Sequence, residues 1–289
     1  MTMVFDGTLG LTNPGNLTVA GGNITVPSSM TLQTNGVNAL WVDANQNLGV
    51  GATPSAWGSG RGGIELFGSV QPSVSFSGIT ANNGGSINTN TYNNGLGSWL
   101  YKNAGYASVL QTVNGGFQWY TAPSGSAGGT VSLTQMMGLS NGGIVTMPSQ
   151  PAFSATGTAG QATYNSGSPF PFNTAITNVG SFFNTSTYTF TAPVAGRYAF
   201  FLQMYIYTTS VDGQIQLLKN GAQMVPGGDT NPLGGPSTGN STTGNGVWGL
   251  HAILLLAAGD AITAAPRINS GSTISTYMPH STFSGYLIG

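Results

Sequence analysis

Residues 172–200 read FNTAITNVGSFFNTSTYTFTAPVAGRYAF. Apolar residues recur there at even spacings, interrupted by Asn-Thr, Ala-Pro and Ala-Gly turns. A period of two places alternate side chains on opposite faces of a strand. Phe172, Phe183, Phe190, Tyr198 and Phe200 then supply large rings to one buried layer. Each such ring buries on the order of 150–250 Å², so this single segment can seed the core of a domain. Pro193 and Gly196 bracket a tight reversal, and Arg197-Tyr198-Ala199-Phe200 opens the next strand.

Moving outward, Pro151-Ala152-Phe153-Ser154-Ala155 reads as an earlier strand, and Met147–Pro151 as a short polar joint. Downstream, Gln203–Tyr207 and Ile215–Leu218 continue the strand pattern, the latter ending in a hairpin-type Asn220-Gly221. Pro226–Gly246 is a long Gly/Pro/Asn/Thr loop without periodicity. Leu250–Leu256 reads as a buried strand, and Thr282–Ile288 as the closing one.

The spacing of Phe172, Asn178, Phe183, Phe190, Gly196, Tyr198 and Phe200 resembles the signature of the globular head of complement C1q and its tumour-necrosis-factor-like relatives. Leu202 stands where that signature ends in Phe or Tyr, which keeps the position apolar. The resemblance implies a jelly-roll sandwich over residues 149–289 and a homotrimer, because such heads assemble in threes. Some heads of this kind bind calcium. Asp212 and Asp229 lie near loops, but no run resembles an oxygen-rich ligand loop, so ordinary turn aspartates are the favoured reading.

The composition narrows the partners. Of 289 residues only 11 are charged (5 Lys and Arg, 6 Asp and Glu), and 46 are Gly. Aromatics make up 10%, which speaks against disorder. A phosphate backbone needs several cationic contacts; Arg61, Lys102, Arg197, Lys219 and Arg267 are too few, so nucleic acid is not an expected partner. Cysteine is absent, which excludes disulfide and thiolate chemistry. The longest apolar run, Ala252–Ala258, is too short to span a bilayer, and the first residues have no signal-peptide pattern. No membrane insertion is expected.

In the first forty residues, apolar pairs at i and i+2 recur between Asn, Gly and Pro: Leu9 and Leu11, Leu17 and Val19, Ile24 and Val26, Met30 and Leu32. Such thin strands cannot bury a core alone, so residues 1–38 read as a β-stalk that needs partner chains or anchors to a larger assembly. Ala39–Pro54 reads strand, turn, strand, stop, with an echo at Met137–Pro148. Residues 39–54, with Trp57, Trp99–Ser108 and Trp119–Gly125, resemble phrases that recur in bacteriophage tail fibres. That likeness covers residues 39–148, a β-rich fibre module.

Candidates for chemistry are sparse. His251 and His280 are the only histidines; a Ser284, His251 and Asp260 set can be written down, but no nucleophile-elbow motif supports it. Polysaccharide cleavage calls for paired carboxylates. Glu65, Asp6, Asp43, Asp212, Asp229 and Asp260 include no pair on a shared strand face. Neither an enzyme nor a cofactor or metal site is expected. Saccharide binding needs aromatic faces and neutral hydrogen-bonding groups. The i, i+2 pairs Trp99 and Tyr101, and Phe117 and Trp119, could serve it, though packing is the simpler role. Contact surfaces sit on loops held by a scaffold, which singles out Asp229, Asn231, Asn240, Asn245 and Trp248 as receptor-binding candidates. The expectation is an all-β, homotrimeric phage fibre made in the host cytoplasm. Its N-terminal segment joins other virion proteins, and its head meets a host surface glycan or protein. A purely structural virion role is the alternative.

Overall fold

The computed structural model describes residues 30–34, 37–51, 53–57, 62–66, 74–79, 84–95, 98–207, 212–223, 246–270 and 273–289. It divides into two compact units, Met1–Thr146 and Met147–Gly289. Both are built of β-strands, and Met278–His280 forms a short 3-10 turn.

In the first unit the strands are β1 (Met30–Thr34), β2 (Val37–Val42), β3 (Leu48–Val50), β4 (Gly63–Leu66), β5 (Val74–Ile79), β6 (Gly84–Thr89), β7 (Thr91–Asn93), β8 (Trp99–Tyr101), β9 (Gly105–Val113), β10 (Gly116–Gly125), β11 (Thr134–Leu139) and β12 (Val145–Thr146). Ten of them form one sheet in the order β1-β2-β3-β4-β5-β6-β9-β10-β11-β12, while β7 and β8 pair separately. Neighbours are antiparallel except β3 and β4. Local chemistry sets the turns. The Asp43 carboxylate accepts the backbone N–H groups of Asn45 and Asn47, each at 2.9 Å, and so folds the β2–β3 hairpin. Asn114 and Gly115, at φ 49° and 78°, make the tight β9–β10 turn. The expected division between residues 38 and 39 falls inside β2, and the stalk residues 1–29 lie outside the described ones.

The two faces of this sheet are unusual. On one, Asn47, Glu65, Ser75, Ser77, Ser86 and Asn88 are buried; on the other, Ile64, Leu66, Phe76 and Ile87 are exposed. The buried polar face is bonded internally. The Ser77 and Ser86 hydroxyls lie 2.7 Å apart. Glu65 is the centre of a compact cluster: the Trp57 indole N–H donates to it at 2.6 Å, the Ser55 N–H at 3.0 Å, and Lys102 forms an ion pair with it. The Trp57 ring meets Tyr92 edge-on at 6.1 Å.

The second unit contains β13 (Ala152–Thr156), β14 (Gln161–Tyr164), β15 (Thr174–Val179), β16 (Phe183–Asn184), β17 (Thr189–Thr191), β18 (Gly196–Ile206), β19 (Asp212–Lys219), β20 (Ala222–Gln223), β21 (Gly246–Leu256), β22 (Ala261–Ser270), β23 (Ile274–Tyr277) and β24 (Thr282–Leu287). One sheet carries β14-β23-β18-β24-β13-β15, with β21 on the other side of β18; the second runs β16-β17-β22-β19-β20. This is a jelly-roll sandwich, and its core is aromatic. Phe153 lies between Phe183, Phe190 and Phe283, at centroid distances of 4.6, 5.1 and 5.0 Å. Phe172, Phe190, Tyr198 and Phe200 are fully buried, as the spacing in residues 172–200 requires.

Two other residues of that stretch are explained by the backbone around them. The Asn178 side chain closes the bend into β16: its carboxamide donates to the Phe183 carbonyl at 2.8 Å and accepts the Phe183 N–H at 3.0 Å. Gly196 sits where a Cβ would come within 2.8 Å of Leu287.

Close packing and charge burial each yield a test. A Cβ on Gly285 would lie 2.6 Å from the Phe200 ring and 2.9 Å from that of Phe153, whereas one on Gly160 would meet nothing within 4 Å. Gly285→Ala should destabilise the head by about 1–3 kcal/mol through overpacking, and Gly160→Ala by less than about 0.5 kcal/mol; thermal unfolding of the two variants checks this. In the first unit, Glu65→Ala removes the ion pair with Lys102 and the acceptor for the Trp57 and Ser55 N–H groups, and should cost about 3–5 kcal/mol. Replacing both residues by Met should recover part of that loss, read as the difference between the two denaturation midpoints.

Candidate functional site

Among the described residues of the head, the feature open to recognition or assembly is the outward face of the β18-bearing sheet. Strand periodicity builds it. In β18 the inward residues Tyr198, Phe200, Leu202, Met204 and Ile206 fill the core, leaving Arg197, Phe201, Gln203 and Tyr205 to point out. In β21 the inward Leu250, Ala252, Leu254 and Leu256 alternate with outward Val247, His251, Ile253 and Leu255. The expectation of a strand buried throughout Leu250–Leu256 is therefore corrected. Only every second residue is buried, and Ile253 and Leu255 are 68% and 77% exposed.

Register assembles these outward residues into one patch. Ala199 stands between Ile253 and Tyr286; Phe201 stands between His251 and Ser284; Arg197 pairs with Leu255 and Tyr205 with Val247. The Phe201 ring stacks with Tyr286 at 6.1 Å and meets His251 edge-on at 5.3 Å. This face carries Phe201, Val247, Ile253, Leu255 and Tyr286 beside the polar Gln203 and Ser284, with Arg197 at one end and His251 in the middle. Such a face lowers its free energy by roughly 25 cal/mol for each Å² of apolar surface removed from water.

The residues weighed for catalysis are not brought together. Ser284 and His251 flank Phe201 from the strands on either side of it. Asp260 belongs to the β21–β22 turn. There it accepts from Lys219 at 2.7 Å, from the Asn220 side chain at 2.9 Å and from the Ala257 N–H at 2.7 Å. The Lys219 ammonium first, then Asn220 and the Ala257 N–H, hold its carboxyl at about 2, below the ordinary 3.8. His280 ends the 3-10 turn with its ring against Tyr205 at 5.5 Å and Tyr277 at 4.9 Å. In the first unit Glu65 is engaged by Trp57, Ser55 and Lys102. Burial pushes the Lys102 ammonium below its ordinary value, a shift the neighbouring carboxylate opposes.

Of the receptor-binding candidates, Asp229, Asn231, Asn240 and Asn245 lie outside the described residues. Trp248 lies on β21 opposite Met204, partly buried and packed against the head core, two residues after that strand begins. Of the two aromatic pairs, Tyr101 is buried with Trp99 packed beside it, while Phe117 and Trp119 stack at 6.2 Å on the exposed apolar face of the first unit. Sequence reasoning missed the outward patch of β18 and β21. Its signal was the unbroken apolar run from Ala252 to Ala258, which is more apolar than a strand with one buried face requires.

With that geometry in place, the comparisons with known proteins are specific. The family model of the C1q domain matches residues 152–288. Caprin-2 of Danio rerio is 33% identical over 137 residues, 47% of this chain and 14% of that protein. Complement C1q tumor necrosis factor-related protein 3 of Mus musculus is 30% identical over 124 residues, 43% of this chain and 46% of its own length. The chain thus spans less than half the length of these relatives. Among solved structures, the globular domain of zebrafish complement 1qA protein aligns over 48% of this chain and 98% of its own, with 21% identity and a TM-score of 0.37. Eiger TNF from S. frugiperda aligns over 48% and 93%, with 15% identity and a TM-score of 0.36. The second unit is a C1q-like head.

The Asp260 cluster predicts an acid-labile turn. Its folded pKa lies below the ordinary value, so its contribution is complete above about pH 4 and is lost as pH falls toward 2. Asp260→Asn should flatten the pH dependence of head stability in that window, measured by thermal unfolding between pH 5 and 2.

Proposed function

We propose that this protein is a fibre-type adhesin of a bacteriophage virion, a homotrimer whose C1q-like head engages a host surface glycan. The observation that carries the reading is the outward apolar face of β18 and β21, where Ile253 and Leu255 are the most exposed of a contiguous set. A monomer in water would leave that face bare, and exposed apolar patches of this kind mark association sites. Three copies arranged as in other C1q and tumour-necrosis-factor heads would cover it. Membership of a virion is supported by the fibre-like phrases at residues 39–54, 99–108 and 119–125. Receptor contact is assigned to Asp229, Asn231, Asn240 and Asn245, in the connection that leads into β21, with Trp248 at its base. That connection is rich in neutral hydrogen-bonding groups, the kind that hold sugars without counter-charge. The N-terminal segment would join other virion proteins.

Two measurements test the reading. Light scattering should find a trimer, and Leu255→Lys should shift it toward monomer by placing a desolvated charge in each interface; a wild-type chain that stays monomeric sinks the assembly. Soluble protein should compete with particle adsorption to host cells. An Asn231→Ala, Asn240→Ala double variant should compete at least about tenfold less well, the effect of losing 1.4 kcal/mol of binding. Undiminished competition by that variant removes the loop assignment, and no competition by the wild type leaves the structural-fibre role in its place.

A further inference from the structure

The polar face of the first unit's large sheet does not stay buried along its length. Ser86 pairs with Gln111, Gln111 with Gln118, Gln118 with Gly138 and Gly138 with Thr146. Residues paired across strands share a face, so this row runs from buried Ser86 out to exposed Thr146. Over its outer part the face is hollowed into a groove of about 510 Å³, with no titratable side chain in its lining. Two buried glycines, Gly116 and Gly138, help to form its floor. A Cβ on Gly138 would lie 2.5 Å from Gln135 Nε2 and 3.1 Å from Thr146 Oγ1. The missing side chain lets that carboxamide and that hydroxyl converge.

Two devices aim the amides. Trp119 pairs with Met137 but Tyr120 with Gln135, so Met136 is an extra residue in the ladder. Without it Gln135 would point to the opposite face; the bulge turns it to the side of Tyr120 and Gln118. The Tyr120 hydroxyl then donates to Gln118 Oε1 at 2.8 Å, which leaves the Gln118 amide N–H groups for another acceptor. At the end of the groove the Ser140 hydroxyl accepts the Ile144 N–H at 3.1 Å and fixes the turn that carries Asn141.

We infer that this groove is a binding site for a neutral saccharide, separate from the head. The carboxamides of Gln118, Gln135 and Asn141 and the Thr146 hydroxyl combine donors and acceptors, as sugar hydroxyls do. Ile144, 66% exposed, and Val113 offer apolar surface to the C–H face of a sugar ring. An anion finds no cation in the lining and would lose hydration without gaining a partner. A peptide added as a strand needs the main-chain groups of a sheet edge, whereas this lining takes in side chains of β10 and β11, both inside the sheet. The volume falls among small-ligand clefts, roughly 300–1,000 Å³. Every lining residue belongs to the first unit of one chain, so the site asks nothing of the number of copies or of the head's ligand.

The test uses the full chain and photoreactive trisaccharides of glucose, mannose and galactose, with a sialylated trisaccharide as the anionic reference. Cross-linked peptides are mapped by mass spectrometry. At least one neutral probe should label the segments 113–118 and 135–146, and label them more strongly than the sialylated one. The double variant Gln118→Leu, Gln135→Leu keeps the shape of the groove and removes its amides; it should lower that labelling at least about tenfold. Gly138→Ala keeps the amides and fills the floor, and should do the same by a separate route. Thermal unfolding of both variants should stay near the wild-type midpoint, because these are surface changes. Labelling confined to residues 147–289 overturns the inference and leaves the head reading standing. Labelling confined to the groove supports it and removes the head's glycan. No labelling by any neutral probe, equal labelling by the sialylated one, or labelling that both variants leave unchanged overturns it.

Discussion

Every strand has two faces, and an apolar one must lie against something. That constraint shapes both units. In the head, the inward faces of two sheets meet through aromatic rings, and Phe153 joins the sheets by touching Phe183, Phe190 and Phe283 together. In the first unit the same alternation buries a polar face instead. Burying polar groups is costly unless each finds a partner, and the Glu65 cluster shows how the cost is met: two N–H donors and an ammonium converge on one carboxylate. The Oδ1 atom of Asn88 has no hydrogen-bond partner, so the polar face is not fully matched.

The scarcity of charge is the second constraint. With so few charged residues, each one in a defined place has structural weight. Asp43 folds a hairpin, Asp260 fixes a turn with Lys219, and Glu65 pairs with Lys102. Surfaces left without charge are covered by Asn, Ser, Thr and Gly, or remain apolar. A neutral apolar face desolvates at little cost when it meets another like it, whereas a charged one must find a counter-ion. A low-charge chain is therefore suited to burying sheet faces between copies.

The head was legible in the sequence because its determinants are local. Phe172 to Phe200 lie within one continuous stretch, and their spacing alone puts the rings on one side. Asn178 needed only the next turn, five residues on, to have a partner. Asn220-Gly221, at φ 52° and 76°, made the expected hairpin for the same reason. What could not be read was anything set by register between distant strands. Glu65 and Lys102 are 37 residues apart, and nothing near either one marks a partner. The side-by-side row of Leu48, Ile64, Phe76, Ile87, Leu110 and Trp119 exists only once six strands have been aligned. Each of its members looks, in isolation, like an ordinary core residue. The same holds for Ile253 and Leu255: an apolar run shows that a strand is apolar, not that both its faces have cover.

Sequence patterns report apolarity and periodicity, but not how many layers will be available to bury it. A strand that is apolar on both faces inside one chain implies a third layer, and in the head no described element of the same unit supplies one over β21. Where the chain spends Leu, Ile and Phe on a face that its own unit leaves open, the missing layer has to come from elsewhere. The outward face of β18 and β21 has this property. Under the homotrimer proposed above, other copies would supply that layer, and stability would depend on protomer concentration as well as on the core of each chain.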